Sequence, residues 1–117
     1  MSTYSKQFLS ASTDGLPIAI GSTSAPGDAV HTCAANSDID EVTLYAASQA
    51  TGDVTLTLML GGVGSTIYAS PVVISAGSGQ VLVLAGVPFK NAKTIKAFAS
   101  QAGVVSIWGF VNRVSAA

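Results

Sequence analysis

The stretch VVSIWGFVNR (Val104–Arg113) alternates as a β-strand does, yet both of its sides are apolar. One side carries Val105, Ile107, Gly109 and Val111; the other carries Val104, Ser106, Trp108 and Phe110. Successive strand residues point to opposite sides, and a strand on the surface of a small sheet needs only one apolar side. The same excess recurs in QVLVLA (Gln80–Ala85), with Val81, Val83 and Ala85 on one side and Leu82 and Leu84 on the other. TIKAFAS (Thr94–Ser100) shows it more mildly, placing Phe98 beside Lys96 and opposite Ile95, Ala97 and Ala99.

Working outward from these segments, the chain reads as short apolar or alternating runs broken by turn residues. Gln7–Ala11 is a weak first strand. LPIAIG (Leu16–Gly21) follows the turn Asp14-Gly15, and AVHTCA (Ala29–Ala34) follows Pro26-Gly27. EVTLYAAS (Glu41–Ser48) and DVTLTLML (Asp53–Leu60) alternate strictly, and the connector containing Thr51-Gly52 predicts that they pair as an antiparallel hairpin. GGVGS (Gly61–Ser65) is a turn, Val72–Ser75 a short strand behind Pro71, and Gly86–Lys93 mostly loop with Phe89 as an apolar plug. No segment has a convincing helical period. Eight or nine strands separated by turns predict an all-β chain: an antiparallel β-sandwich, jelly-roll-like. Residues 13–117 form its single domain, and 1–12, rich in Ser and Thr, are expected as a flexible N-terminal arm.

With 117 residues the chain buries a core without staples. Only 9% of its residues are charged, against roughly 25% in ordinary domains. A surface so short of charge is either covered by Ser, Thr, Asn and Gln or partly hidden in an assembly. The net charge of −1 leaves no basic excess for phosphates, so nucleic acid is not an expected partner. No apolar run approaches the roughly 18 residues of a membrane span, and residues 1–15 lack the pattern of a signal peptide. All six acids precede residue 54, whereas four of the five bases lie from Lys90 on; this is either chance in a small sample or a sign that early and late elements face each other, within one chain or between neighbouring chains.

Few residues could carry chemistry. His31 is the only histidine and Cys33 the only cysteine. A nucleophilic Cys33 with His31 as base would need a third, orienting group from elsewhere; the plainer expectation is a hydrogen-bonded histidine beside a small buried thiol. Two such ligands are too few for a zinc site. Asp38, Asp40 and Glu41 offer oxygens for calcium but without the EF-hand pattern, so a solvated turn is expected there. GGVGS and SAGSG (Ser75–Gly79) lack the lysine, helix or base that a phosphate loop or nucleophile elbow requires. Lys90, Lys93 and Lys96 read as a solvated loop. No enzyme, metal or cofactor is expected.

The second apolar side is therefore the feature to explain. Either loops of the same chain cover it, such as the one carrying Phe89, or another subunit does. The scarcity of charge favours a subunit, with an interface of about 2,000 Å² or more. Leu82, Leu84, Phe98, Trp108 and Phe110 are the expected anchors.

The successive segments LPIAI, PGDAVHT, DEVTLYAAS, DVTLTLMLGG, GQVLVLAGVPF, IKAFAS and VSIWGFVNRV, from Gly15 to Val114, resemble small virion proteins encoded in tailed-bacteriophage structural gene clusters. DEVTLYA and GFVNR are the most specific pieces. The resemblance implies an all-β capsid decoration or cement protein, made in the bacterial cytoplasm and carried on the phage head. Its partners would be a major capsid protein and further copies of itself, in a symmetric homo-oligomer expected to be a trimer. A second expectation is a carbohydrate- or receptor-binding sandwich of a fibre or tail, with Tyr45, Tyr68 or Trp108 stacking on a sugar ring.

Overall fold

The computed structural model describes residues 3–61 and 68–115. These residues form nine strands: β1 (Thr3–Gln7), β2 (Ile18–Ile20), β3 (Asp28–Thr32), β4 (Ile39–Ser48), β5 (Val54–Gly61), β6 (Ala69–Ile74), β7 (Val81–Phe89), β8 (Thr94–Ala99) and β9 (Val105–Ser115). The first sheet runs β1-β9-β4-β7, with β2 also on β9; the second runs β3-β8-β5-β6. Every pairing is antiparallel, so the chain is an all-β sandwich.

The pairs β2:β9, β3:β8, β4:β7 and β5:β6 are nested, as in one long hairpin rolled over on itself. Pairing of β4 with β9 and of β5 with β8 then closes the roll into two sheets. This is jelly-roll connectivity. It corrects the hairpin expected between Glu41–Ser48 and Asp53–Leu60. Those segments lie in opposite sheets, and their apolar sides meet across the core because the neighbours of β4 are β9 and β7. The short connector carries the chain from one sheet to the other, a gap of about 10 Å.

Strict alternation determines which side chains enter that gap. Val42, Leu44, Ala46, Val105, Ile107 and Val111 come from the first sheet; Leu56, Leu58, Ile95, Ala97 and Ala99 come from the second. Each fully buried Val, Leu or Ile contributes about 1.5–3 kcal/mol relative to exposure.

Three expectations about strand limits need correction. The expected strand Gln7–Ala11 is displaced: the strand is Thr3–Gln7, paired with Val111–Ser115. The described part of the expected arm is therefore docked on the sandwich, and Leu9 is part of the core. Residues 10 and 11 continue along β3. The Thr32 amide donates to Ser10 Oγ at 2.7 Å and the Ala11 amide to the Val30 carbonyl at 3.3 Å. Gly86–Phe89 belongs to β7, an edge strand that tolerates Pro88. Pro71 likewise lies inside edge strand β6. Of the expected GGVGS turn only Gly61 falls within the described residues.

Bulges alter which side chains point inward. From Val42↔Val87 to Leu44↔Leu84 to Tyr45↔Leu82, β7 carries one extra residue twice. Gly86 supplies a left-handed φ of 60° at the first of these. In β3, Ala29↔Lys96 is followed by His31↔Ile95, so Val30 and His31 are consecutive and both buried.

Candidate functional site

Two features of the sandwich have the chemistry of a site: a buried polar network at one end, and the outer side of the first sheet.

The network centres on Asp40, which lies in β4 and is wholly buried instead of in the solvated turn expected for it. Arg113 of β9 clamps its carboxylate, Nε to Oδ1 at 2.7 Å and a terminal nitrogen to Oδ2 at 3.0 Å. His31 Nε2 lies 2.9 Å from Oδ2, and the Ala34 amide donates to the same oxygen at 3.3 Å. The Ser10 amide donates to His31 Nδ1 at 3.0 Å. An Nδ1 that accepts carries no proton, so the hydrogen sits on Nε2 and His31 donates it to Asp40. Burial pushes the Asp40 carboxyl up, but hydrogen bonds from Arg113 and His31 outweigh that and hold it below the usual range. The same carboxylate raises the Arg113 guanidinium. The acid early in the chain and the base late in it do meet, joining β4 and β9 to β3 of the other sheet.

Cys33 completes a Cys-His-Asp cluster whose ligand atoms lie within 4.8 Å of one another. Its chemistry is that of a support. Both histidine nitrogens and both carboxylate oxygens are engaged, and the guanidinium stands where a cation on Asp40 would have to sit. Burial and the Asp40 charge push the thiol up to about 11, which removes the thiolate a nucleophile or soft-metal ligand needs. Iodoacetamide at pH 8 is expected to leave native Cys33 unmodified and to label it fully in denaturant, as read by intact mass. Fast labelling of the native protein would show an open site.

The outer side of the first sheet is built by cross-strand rows. One row is Leu82–Tyr45–Trp108, on β7, β4 and β9. Thr43 and Phe110 form the next, and Ile39, Val114 and Tyr4 another. Leu82 is 53% and Tyr4 74% exposed, while Tyr45, Trp108 and Phe110 are half-buried. Lys6 Nζ lies 4.8 Å from the centre of the Phe110 ring, a cation–π contact. Between the end of β1 and the start of β2, β9 has no partner on that side at residues 108–110. A groove of about 430 Å³ opens there, lined by Lys6, Phe8, Gly15, Gly109 and Phe110.

The five expected anchors do not share a surface. Leu82, Trp108 and Phe110 lie together on this side. Leu84 is turned into the core by the bulges of β7. Phe98 lies on β8, beside Thr57 on the outer side of the opposite sheet. Phe89 packs against the core as an apolar plug, from the end of strand β7 and not from a loop. Tyr68 stands apart from Tyr45 and Trp108, in a second groove with Leu60, Phe89 and Lys93. Phe8, 65% exposed at the rim of the first groove, was missed because its segment was read as a weak strand, whereas it follows the end of β1.

No family model matches the chain, and no curated protein matches it. Among solved structures it is similar to a chain of one described as the structure of infectious bursal disease virus Gt strain, with a TM-score of 0.48 and 16% identity. The match covers 97% of this chain and 33% of that one, so this chain spans about a third of its length.

Proposed function

We propose that this chain is a structural protein of a virus particle, a decoration or cement protein of a tailed-phage head that works by protein–protein contact and carries out no reaction. The observation that carries the reading is the open Leu82–Tyr45–Trp108 row with Phe110, Tyr4 and Ile39 around it. Aromatic and aliphatic groups spread over one sheet cost solubility unless another molecule covers them. The resemblance of the segments from Gly15 to Val114 to small virion proteins supplies the setting. A jelly roll whose two sheets are tied by a largely buried polar network suits a part that must hold shape under load. Its partners would be copies of itself and a major capsid protein.

Mass spectrometry of purified particles, made by a phage carrying this sequence, tests the role. Many copies per particle are expected; absence from the particles would overturn it. Trp108→Asp places a charge in the middle of the apolar row and is expected to abolish the soluble oligomer, as read by size exclusion with light scattering. Wild-type protein that is monomeric at micromolar concentration would remove self-assembly from the reading.

A further inference from the structure

We infer that the outer side of the first sheet binds a second copy of this chain about a two-fold axis that runs parallel to the strands, between β9 and β4. The inference rests on the reading above that another molecule covers this side, and it names that molecule.

The argument is one of register. A two-fold rotation about such an axis lays one sheet on the other and preserves position along the strands while exchanging left and right. It therefore sets β9 against the partner's β4, and the β1/β2 edge against the partner's β7. Three matches follow at once. Trp108 and Tyr45 are directly paired within the chain, so each ring meets the other kind across the axis. Leu82 is level with that row at the β7 edge and 53% exposed, and the groove at Gly109–Phe110 lies one residue further along on the β1/β2 edge. The rotation places the protruding leucine over the apolar hollow, twice.

Charge gives the third match. Lys6 and Glu41 are the only charged residues at outward positions of β1, β9, β4 and β7, and both sit in the row of Asn112. They flank β9, two strand spacings or about 10 Å apart, and project side by side from one sheet, with Lys6 turned to the Phe110 ring and not to Glu41. The rotation brings the partner's glutamate over Asn112, one strand spacing from Lys6 and within reach of its long side chain. An isologous contact repeats each such pair. The rows span up to the 11 residues of β9 and four strands, which offers on the order of 700 Å² per copy, near the ~800 Å² per partner of a standard interface. A trimeric ring would use two different patches and would leave this self-match without a role.

The test is a charge exchange, read by sedimentation equilibrium at micromolar concentration. Wild type is expected as a dimer. Lys6→Glu and Glu41→Lys should each weaken it about tenfold, because the pair is lost twice. The double variant should return to within about threefold of wild type. Leu82→Arg should be a monomer with unchanged circular dichroism, since an exposed position tolerates it. A wild-type monomer or trimer would overturn the two-fold contact, as would a double variant no tighter than the singles. Neither result touches the particle role, which the copy number in purified particles decides separately.

Discussion

Asp40→Ala is expected to lower the unfolding free energy at pH 7 by about 3–5 kcal/mol, which for a domain of this length is a fall of roughly 12–20 °C in Tm. The substitution leaves the Arg113 guanidinium without its bidentate partner. It also strips the acceptor from His31 Nε2–H and from the Ala34 amide. Arg113 keeps 27% of its side chain exposed and can rehydrate, but hydrogen bonds to a charged group of about 1.5–3 kcal/mol each are lost and the buried His31 N–H is left unpaired, against a total stability of only about 5–15 kcal/mol. Removing all three polar groups together, as in His31→Leu, Asp40→Leu and Arg113→Met, should cost far less than the single change. Acid gives a second reading. The folded carboxyl titrates below its unfolded value, so its stabilisation is complete above about pH 4 and is lost as pH falls through the folded value. The gap between wild type and Asp40→Ala should therefore narrow below pH 4. Urea titrations at pH 7 and pH 3 measure both effects. Equal stability at pH 7 would mean that the network is an ornament of the fold.

Much of the sandwich was legible in the chain because alternation is a local signal. β4 and β5 announce themselves by strict period two, and β8 and β9 by short apolar runs between turns. Three things were not legible, each for a physical reason. Which strands pair depends on closure of the whole roll, so the two cleanest alternating neighbours, Glu41–Ser48 and Asp53–Leu60, were read as a hairpin although they face each other across the core. A bulge shifts parity without marking the sequence strongly. Leu84 stands two residues from Leu82 yet points the other way, and His31 follows Val30 into the interior. Asp40 follows the turn-forming Asn36-Ser37-Asp38 and reads as solvated; the residue that makes its burial tolerable, Arg113, is 73 positions away. β1, with the polar sequence TYSKQ, has no apolar side at all and is a strand only because β9 offers it an edge.

Gly109→Ala should be the most damaging single methyl group that can be added to β9. The residue lies between Ile107 and Val111, opposite Leu44, and a Cβ there would overlap the Thr43 carbonyl oxygen and stand 3.1 Å from the Leu44 Cα. Those atoms are backbone and cannot swing aside as a side chain would. The close approach lies level with the bulges of the neighbouring strand. β7 carries its two extra residues opposite Thr43 to Tyr45, and bulges sharpen the local twist. β4 and β9 approach closely at this point, and only a residue without a side chain fits between them. Overpacking alone costs about 1–3 kcal/mol, and parting β9 from β4 sacrifices ladder hydrogen bonds of about 1 kcal/mol each. A loss of roughly 3–5 kcal/mol is expected by urea unfolding. Gly52→Ala is the control: nothing lies within 4 Å of its added Cβ, and stability should change by less than about 0.5 kcal/mol. The same methyl group should also disturb assembly. Gly109 is flanked by Trp108 and Phe110 and helps line the groove proposed to receive Leu82 of a second copy, so a displaced β9 moves the contact surface with it. Gly109→Ala protein as stable as wild type would show that β4 and β9 can part at this point without loss.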